Sequence, residues 1–178
     1  EAFLARVSKV KVGSGAEDEC GPVISRASLD RLIAQVRGAV NRGASLVAGG
    51  SAVAALAPGY YLQPTVLEHV SPLDEVSQHE MFGPVTCLYR VRTFDEAVRL
   101  ANGTDYGLLA AVWTENAGRL HRVAKSVKAG QVFMNCYGAG GGVELPFGGT
   151  KRSGHGREKG FLALEEMSTT KTLVHYHG

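Results

Sequence analysis

Between residues 26 and 41 apolar side chains recur at Leu29, Leu32, Ile33, Val36 and Val40. This i, i+3, i+4, i+7, i+11 spacing lines one face of an α-helix. Ser25 or Ser28 can cap the start of that helix, and Gly43 can take the left-handed turn beyond its end. Ala44 to Val47 reads as a short strand running into Gly49-Gly50, and residues 51–60 as a Pro/Gly-punctuated loop. Tyr61 to Leu67 reads as extended, with Pro64 forcing either an edge position or a break.

From Val85 onward the pattern alternates between the two periods. Val85 to Val91 is rich in β-formers, and Thr93-Phe-Asp-Glu96 forms a capping box at a helix start. That helix carries Ala97, Val98, Leu100 and Ala101 and stops at Asn102-Gly103. Leu108 to Trp113 is a second, almost wholly apolar strand. A helix with Leu120, Val123, Ala124 and Val127 on one face then ends at Gly130, and Gln131 to Asn135 is a third strand. Strand, helix, strand, helix, strand with short connections predicts an α/β fold with a parallel sheet covered on both faces. Ligands in such sheets bind at the carboxyl ends of strands. That points to Asn135-Cys136-Tyr137 and the glycine-rich segment after them.

Composition narrows the function classes. The 178 residues are 44% hydrophobic and 20% charged, with a formal net charge of +2. These are ordinary values for one globular core. The basic residues are scattered, so nucleic-acid binding is not expected. No apolar run approaches the roughly 20 residues that span a bilayer. The N-terminus Glu1-Ala2-Phe3-Leu4 has no initiator Met and no basic region before an apolar core. No signal peptide is expected there, the chain reads as cut or processed, and a cytoplasmic location is the default.

The three cysteines, Cys20, Cys87 and Cys136, are odd in number and widely spaced, which indicates neither a disulfide framework nor a zinc site. As a nucleophile, Cys87 is disfavoured by its mid-strand position. The acidic neighbours Glu17, Asp18 and Glu19 would raise the pKa of Cys20. Cys136, at a strand's carboxyl end, is the one plausible active-site thiol, yet no base lies near it in sequence. Six histidines form no metal-ligand spacing beyond His175-Tyr-His177, and no metal is expected.

Nine glycines fall between Gly138 and Gly160. Neither Gly138–Val143 nor Gly154–Gly160 completes a dinucleotide fingerprint between a strand and a helix, and no Walker lysine follows. The favoured reading is backbone freedom and close approach.

Taken in order, the motifs are specific. The chain reads Gly21-Pro22-Val-Ile, Pro64-Thr65-Val66-Leu67, Glu80-Met-Phe82-Gly83-Pro84-Val85, and Ala101-Asn102-Gly-Thr-Asp-Tyr106-Gly107-Leu108. Gly130-Gln-Val-Phe-Met-Asn135 and Pro146-Phe147-Gly148-Gly149-Thr-Lys151-Arg-Ser153-Gly154 follow. Across all 178 residues this order resembles the C-terminal third of the aldehyde dehydrogenase superfamily. The resemblance implies NAD- or NADP-dependent oxidation of an aldehyde to a carboxylic acid through a cysteine thiohemiacetal and thioester. The nucleophilic cysteine, the glutamate base and the cofactor domain would lie upstream of Glu1, so no catalytic residue is assigned in the chain.

The resemblance further implies that Glu80 accepts hydrogen bonds from the nicotinamide ribose and that Phe82 packs beside it. Without it, Glu80 would read as a solvated carboxylate and Phe82 as a core anchor. Asn135, Tyr137 and Phe147 would shape the substrate channel, and Gly138 to Leu145 would leave a roomy mouth. Residues 1–167 would be catalytic domain. Ser168 to Tyr176 would be an edge strand within an oligomerisation segment, 168–178, completing a neighbour's sheet in a homodimer or homotetramer. Two alternatives stand beside this: a catalytically inert binding or assembly domain, and a relative that resolves the thioester with CoA.

Overall fold

The structure, a computed structural model, describes residues 1–137 and 142–178. They form two compact units, Glu1–Val91 and Arg92–Gly178.

The first unit runs α1 (Ala2–Val7), α2 (Arg26–Asn41), β1 (Ser45–Ala48), a 3-10 turn (Ala54–Leu56), β2 (Thr65–Glu68), α3 (Glu75–Gln78) and β3 (Val85–Leu88). Its sheet has the order β1-β2-β3, antiparallel on one side of β2 and parallel on the other, with Thr65 opposite Val85 and Leu67 opposite Cys87. Of the two roles open to Pro64, the break is the one observed. It sits just before the central strand, and the ladder begins at Thr65, whose N–H donates to the Pro84 carbonyl at 2.7 Å.

Helix α2 forms as its periodicity predicts. The Ser25 hydroxyl accepts from the Ser28 N–H at 3.1 Å, and Gly43 takes a φ of 104° past the end. The buried stripe is Leu29, Leu32, Val36 and Ala39, packed with Leu62, Leu67, Val70, Val76 and Met81. Val40 lies at the margin of that stripe and is exposed. Thr65 is the buried polar residue of this core. Its hydroxyl donates to the Gln63 carbonyl at 2.7 Å and accepts from the Gly50 N–H at 2.9 Å, so its burial is satisfied.

Asp74 joins the end of α2 to the start of α3. Its carboxylate accepts two bonds of 2.7 Å from Arg42 and caps α3 through the Val76 N–H at 3.1 Å. The Arg42 guanidinium holds this carboxyl below its ordinary value. A depressed carboxyl pKa contributes stability above the unfolded value of about 3.9 and loses it as pH falls through the folded value. Asp74→Asn is therefore expected to lower the thermal midpoint at neutral pH and to converge on the wild type as pH falls below the folded value. A gap that persists unchanged in acid would assign the effect to packing instead.

The second unit runs α4 (Phe94–Ala101), β4 (Tyr106–Gly107), β5 (Leu109–Val112), α5 (Ala117–Ser126), β6 (Gln131–Met134), β7 (Thr150–Lys151) and α6 (Gly160–Glu166). The α/β class holds, with parallel strands in both units. In the first unit β3 is paired in parallel with β2, and in the second β5 is paired in parallel with β6, Leu109 opposite Gln131. Periodicity marks strands but does not choose their partners.

The capping box is shifted by one residue. The Glu96 N–H donates to the Thr93 hydroxyl at 3.1 Å, but the Glu96 carboxylate accepts from the Arg92 N–H at 2.8 Å rather than from Thr93. Asn102 ties the ends of α4 and α5 together, its amide donating to the Ser126 carbonyl at 2.8 Å and accepting from the Lys128 N–H at 2.7 Å. Lys151 donates to the carbonyls of Asn102 and Thr104 at 3.0 and 2.7 Å. Val123 is the buried hydrophobic of this unit among the described residues, and β5 is only half covered. Residues 168–178, where the sequence predicts an edge strand for a neighbouring subunit's sheet, are exposed in the single chain. A strand exists only where a neighbour accepts its backbone groups.

Candidate functional site

Glu80, Met81 and Phe82 are sorted by burial. Met81 is in the core, 8% exposed, and its carbonyl accepts from the Arg31 guanidinium at 2.9 Å. That anchor leaves the residues on either side facing solvent. Glu80 is exposed, and among the described residues its carboxylate has no hydrogen-bond or ion-pair partner. Phe82 is 77% exposed and has a φ of 50°. A bulky residue in the left-handed region costs on the order of 1–3 kcal/mol and persists where its surroundings impose it, often at a ligand clamp. Leu32 presses on the next residue, Gly83, where an added Cβ would lie 2.5 Å from a Leu32 methyl. The core-anchor reading of Phe82 therefore fails, because the anchor is Met81.

Asn135 ends β6 with its own backbone in the left-handed region, at a φ of 54°. Its N–H donates to the Val112 carbonyl at 2.7 Å, extending the β5–β6 ladder by one rung. The side chain then makes a further rung: its amide oxygen accepts from the Thr114 N–H at 2.8 Å and its amide nitrogen donates to the Thr114 carbonyl at 3.1 Å. Asn tolerates this backbone region better than most residues, and that preference was the sequence signal available for it. Cys136 and Tyr137 follow, both exposed. Of the Gly138–Leu145 segment expected to widen a channel mouth, residues 138–141 lie outside the described residues.

Phe147 lines a cavity of about 300 Å³ shared with Leu108, Gly148, Arg157, Glu166 and Met167. Its backbone exchanges both bonds with Glu158, at 2.6 and 2.7 Å. Arg157, which the sequence did not single out, donates to the carbonyls of Gly149 and Gly156 at 2.9 and 2.6 Å and so braces the turn after Phe147. Nothing in its spacing announces that role, since its acceptors are backbone atoms. Asn135 and Tyr137 are not among the lining residues of this cavity.

The cysteines divide as follows. Burial pushes the Cys87 thiol up, with the Asp74 charge acting in the same direction. The Cys20 thiol is also pushed up, but by burial and not by its acidic neighbours. Glu19 is instead occupied by Arg6 and the Lys11 N–H, and the Arg6 bond lowers its pKa. A raised thiol pKa removes the thiolate that nucleophilic attack requires. Cys136 is exposed. Among the described residues, no three His, Cys, Asp or Glu side chains assemble into a metal-binding group. The His175 and His177 rings stack 4.3 Å apart on the exposed tail. No described helix is long and apolar enough to cross a membrane.

The profile of the aldehyde dehydrogenase family matches residues 1–173. A betaine aldehyde dehydrogenase of Cereibacter sphaeroides is 39% identical over 97% of this chain and 36% of its own length. The chloroplastic betaine aldehyde dehydrogenase of Atriplex hortensis is 38% identical over 97% of this chain and 35% of its own. The crystal structure of betaine aldehyde dehydrogenase from Staphylococcus aureus, in complex with NAD+, superposes with a TM-score of 0.87 at 36% identity, covering 93% of this chain and 33% of that one. The chain thus spans about a third of the length of these relatives. It belongs to the aldehyde dehydrogenase family.

Proposed function

We propose that the chain forms the far wall of the active site of an aldehyde dehydrogenase that oxidises an aldehyde to a carboxylic acid with NAD or NADP. The observation that carries this reading is the Glu80–Phe82 pair. A carboxylate without a partner among the described residues and an exposed aromatic in strained backbone flank one buried anchor. Such a pair suits a ligand that presents hydroxyl donors beside an apolar ring. The nicotinamide group, when bound, supplies the acceptor for hydride. Glu80 orients the adjoining ribose by accepting its hydroxyls, and Phe82 shields one side of it from water.

Tyr137 and Phe147 bound the aldehyde channel, and Asn135 begins the loop that shapes it. Burial raises the thiols of Cys20 and Cys87 and disfavours both as nucleophile; the family resemblance puts the nucleophilic cysteine and the glutamate base in sequence outside these 178 residues. The extent of exposed apolar surface agrees with a segment packed inside a larger protein. Phe161, Leu164 and Met167 of the α6 region are 86%, 65% and 84% exposed. Residues 168–178 add a strand to a neighbouring subunit's sheet, giving a homodimer or homotetramer.

The test is an aldehyde panel against the full-length protein with each cofactor, betaine aldehyde included because relatives are named for it. Reduction of NAD or NADP coupled to carboxylate formation is the expected result. No aldehyde-dependent reduction with either cofactor would overturn the reading.

A further inference from the structure

We infer that Asn135 is a positioning residue that sets aldehyde selectivity without touching the aldehyde. The inference rests on the channel reading above and deepens it.

A strand that leaves a sheet does so in a direction fixed by its last hydrogen-bonded rung. In β6 the last backbone rung is the Asn135 N–H on the Val112 carbonyl, at 2.7 Å. Beyond it the two chains diverge, and the Thr114 backbone would lose its partner. The Asn135 side chain supplies that partner, holding both the N–H and the carbonyl of Thr114, at 2.8 and 3.1 Å. A primary amide reproduces the donor and acceptor of a peptide group, which is what closing this rung requires. Because the side chain is spent on the rung, the main chain is free to turn, and it does so through a φ of 54°.

The clamp and the turn therefore share one residue, and together they fix where Cys136 and Tyr137 leave the sheet. The other strand is held as well: the Asn116 N–H donates to the Thr114 hydroxyl at 3.2 Å, and the Asn116 side chain caps α5 through the Arg119 N–H at 3.0 Å. Thr114 is thus tied to α5 on one side and to Asn135 on the other. One bond to its oxygen and one from its nitrogen hold the amide against the Thr114 backbone. Its influence on the channel passes through the direction of residues 136 and 137.

Three variants of the full-length enzyme separate the two roles. Asn135→Gly keeps access to the left-handed region but deletes the clamp. Asn135→Ala deletes the clamp and disfavours the turn. Asn135→Asp keeps the turn and the acceptor for the Thr114 N–H but loses the donor. Hydrogen exchange at the Thr114 amide reads the clamp independently of activity. The expected order of exchange rate is wild type, then Asp, then Gly and Ala.

In kinetics, the ratio of kcat/KM for a bulky aldehyde to that for a small one is expected to move about tenfold in Gly and Ala, equivalent to about 1.4 kcal/mol. The KM for NAD should stay within about twofold, the size of a minor surface effect. Unchanged Thr114 exchange in Asn135→Ala overturns the clamp. Faster exchange with an unmoved aldehyde ratio overturns the positioning role. A loss of kcat that is uniform across aldehydes and accompanied by a raised NAD KM makes the residue merely structural, and also overturns it. A wild-type protein that oxidises no aldehyde fails the functional reading and the selectivity claim with it, while the exchange result still stands on its own.

Discussion

Replacing Glu80 with glutamine is expected to lower kcat/KM for NAD or NADP by roughly 10- to 150-fold, the weight of a hydrogen bond to a charged acceptor of about 1.5–3 kcal/mol. The carboxylate has two oxygens to offer and no protein partner among the described residues. An amide in its place keeps one acceptor and presents donors where the ribose presents its own. The same exposure makes the fold indifferent to the change, since surface substitutions that break no contact fall within about 0.5 kcal/mol. Initial rates with cofactor varied, together with a thermal melt, separate the two effects. Wild-type cofactor kinetics in this variant would take Glu80 out of the site. A large fall in the melting temperature would instead show that Glu80 serves the fold.

Gly130→Ala is expected to be the most destabilising single methyl among the described residues of the Arg92–Gly178 unit. A Cβ on Gly130 would lie 1.8 Å from the Gly148 carbonyl oxygen and 3.0 Å from the Gly149 Cα. Both neighbours are backbone, so no rotamer relieves the overlap. Gly130 also donates its N–H to the Gly107 carbonyl at 3.0 Å, which prevents it from backing away. Overpacking ordinarily costs about 1–3 kcal/mol, and a clash that must move two backbones belongs at or above the top of that range. For a protein of this size, about 3 kcal/mol lowers the melting temperature by roughly 6–12 °C. Gly21→Ala, where an added Cβ meets nothing within 4 Å, is the comparison expected to leave the melt in place. Equal melts for the two variants would show that the approach of Gly130 to Gly148 is looser than the structure has it.

The clash at Gly130 bears on the glycine density between Gly138 and Gly160. In the sequence that density suggested a phosphate loop, and incomplete fingerprints argued for close backbone approach instead. At Gly148 and Gly149 close approach is what the structure has. An added Cβ at Gly148 would lie 2.7 Å from the Gly156 carbonyl, and one at Gly149 would lie 2.6 Å from the Ser153 carbonyl. The turn after Phe147 is built from backbone packed on backbone, with Arg157 bridging two of its carbonyls.

What the sequence determined by itself was local. Helix α2 with its Ser25 cap, the strand at Val85, the Thr93 cap and the stop at Asn102-Gly103 follow from rotation per residue, capping chemistry and missing donors. Those causes act within a few residues. The ordered motifs also placed the chain in its family, because a series of short patterns at fixed spacing is specific where any one is weak.

Pairing was decided only in three dimensions. Val85–Leu88 found Thr65–Glu68, whereas Leu109–Val112 found Gln131–Met134, since register depends on which apolar face each strand can bury and not on adjacency along the chain. Tertiary contact also decided that Met81 and not Phe82 is the anchor, that Glu19 is engaged by Arg6 and Lys11 while burial raises the Cys20 thiol, and that the Asn135 amide closes on Thr114. Each of these depends on a partner distant in the chain or on the water a neighbour excludes. The tail at 168–178 marks the same limit from the other side. Its alternating pattern describes an edge strand, but a pattern does not name the sheet that would accept its backbone groups.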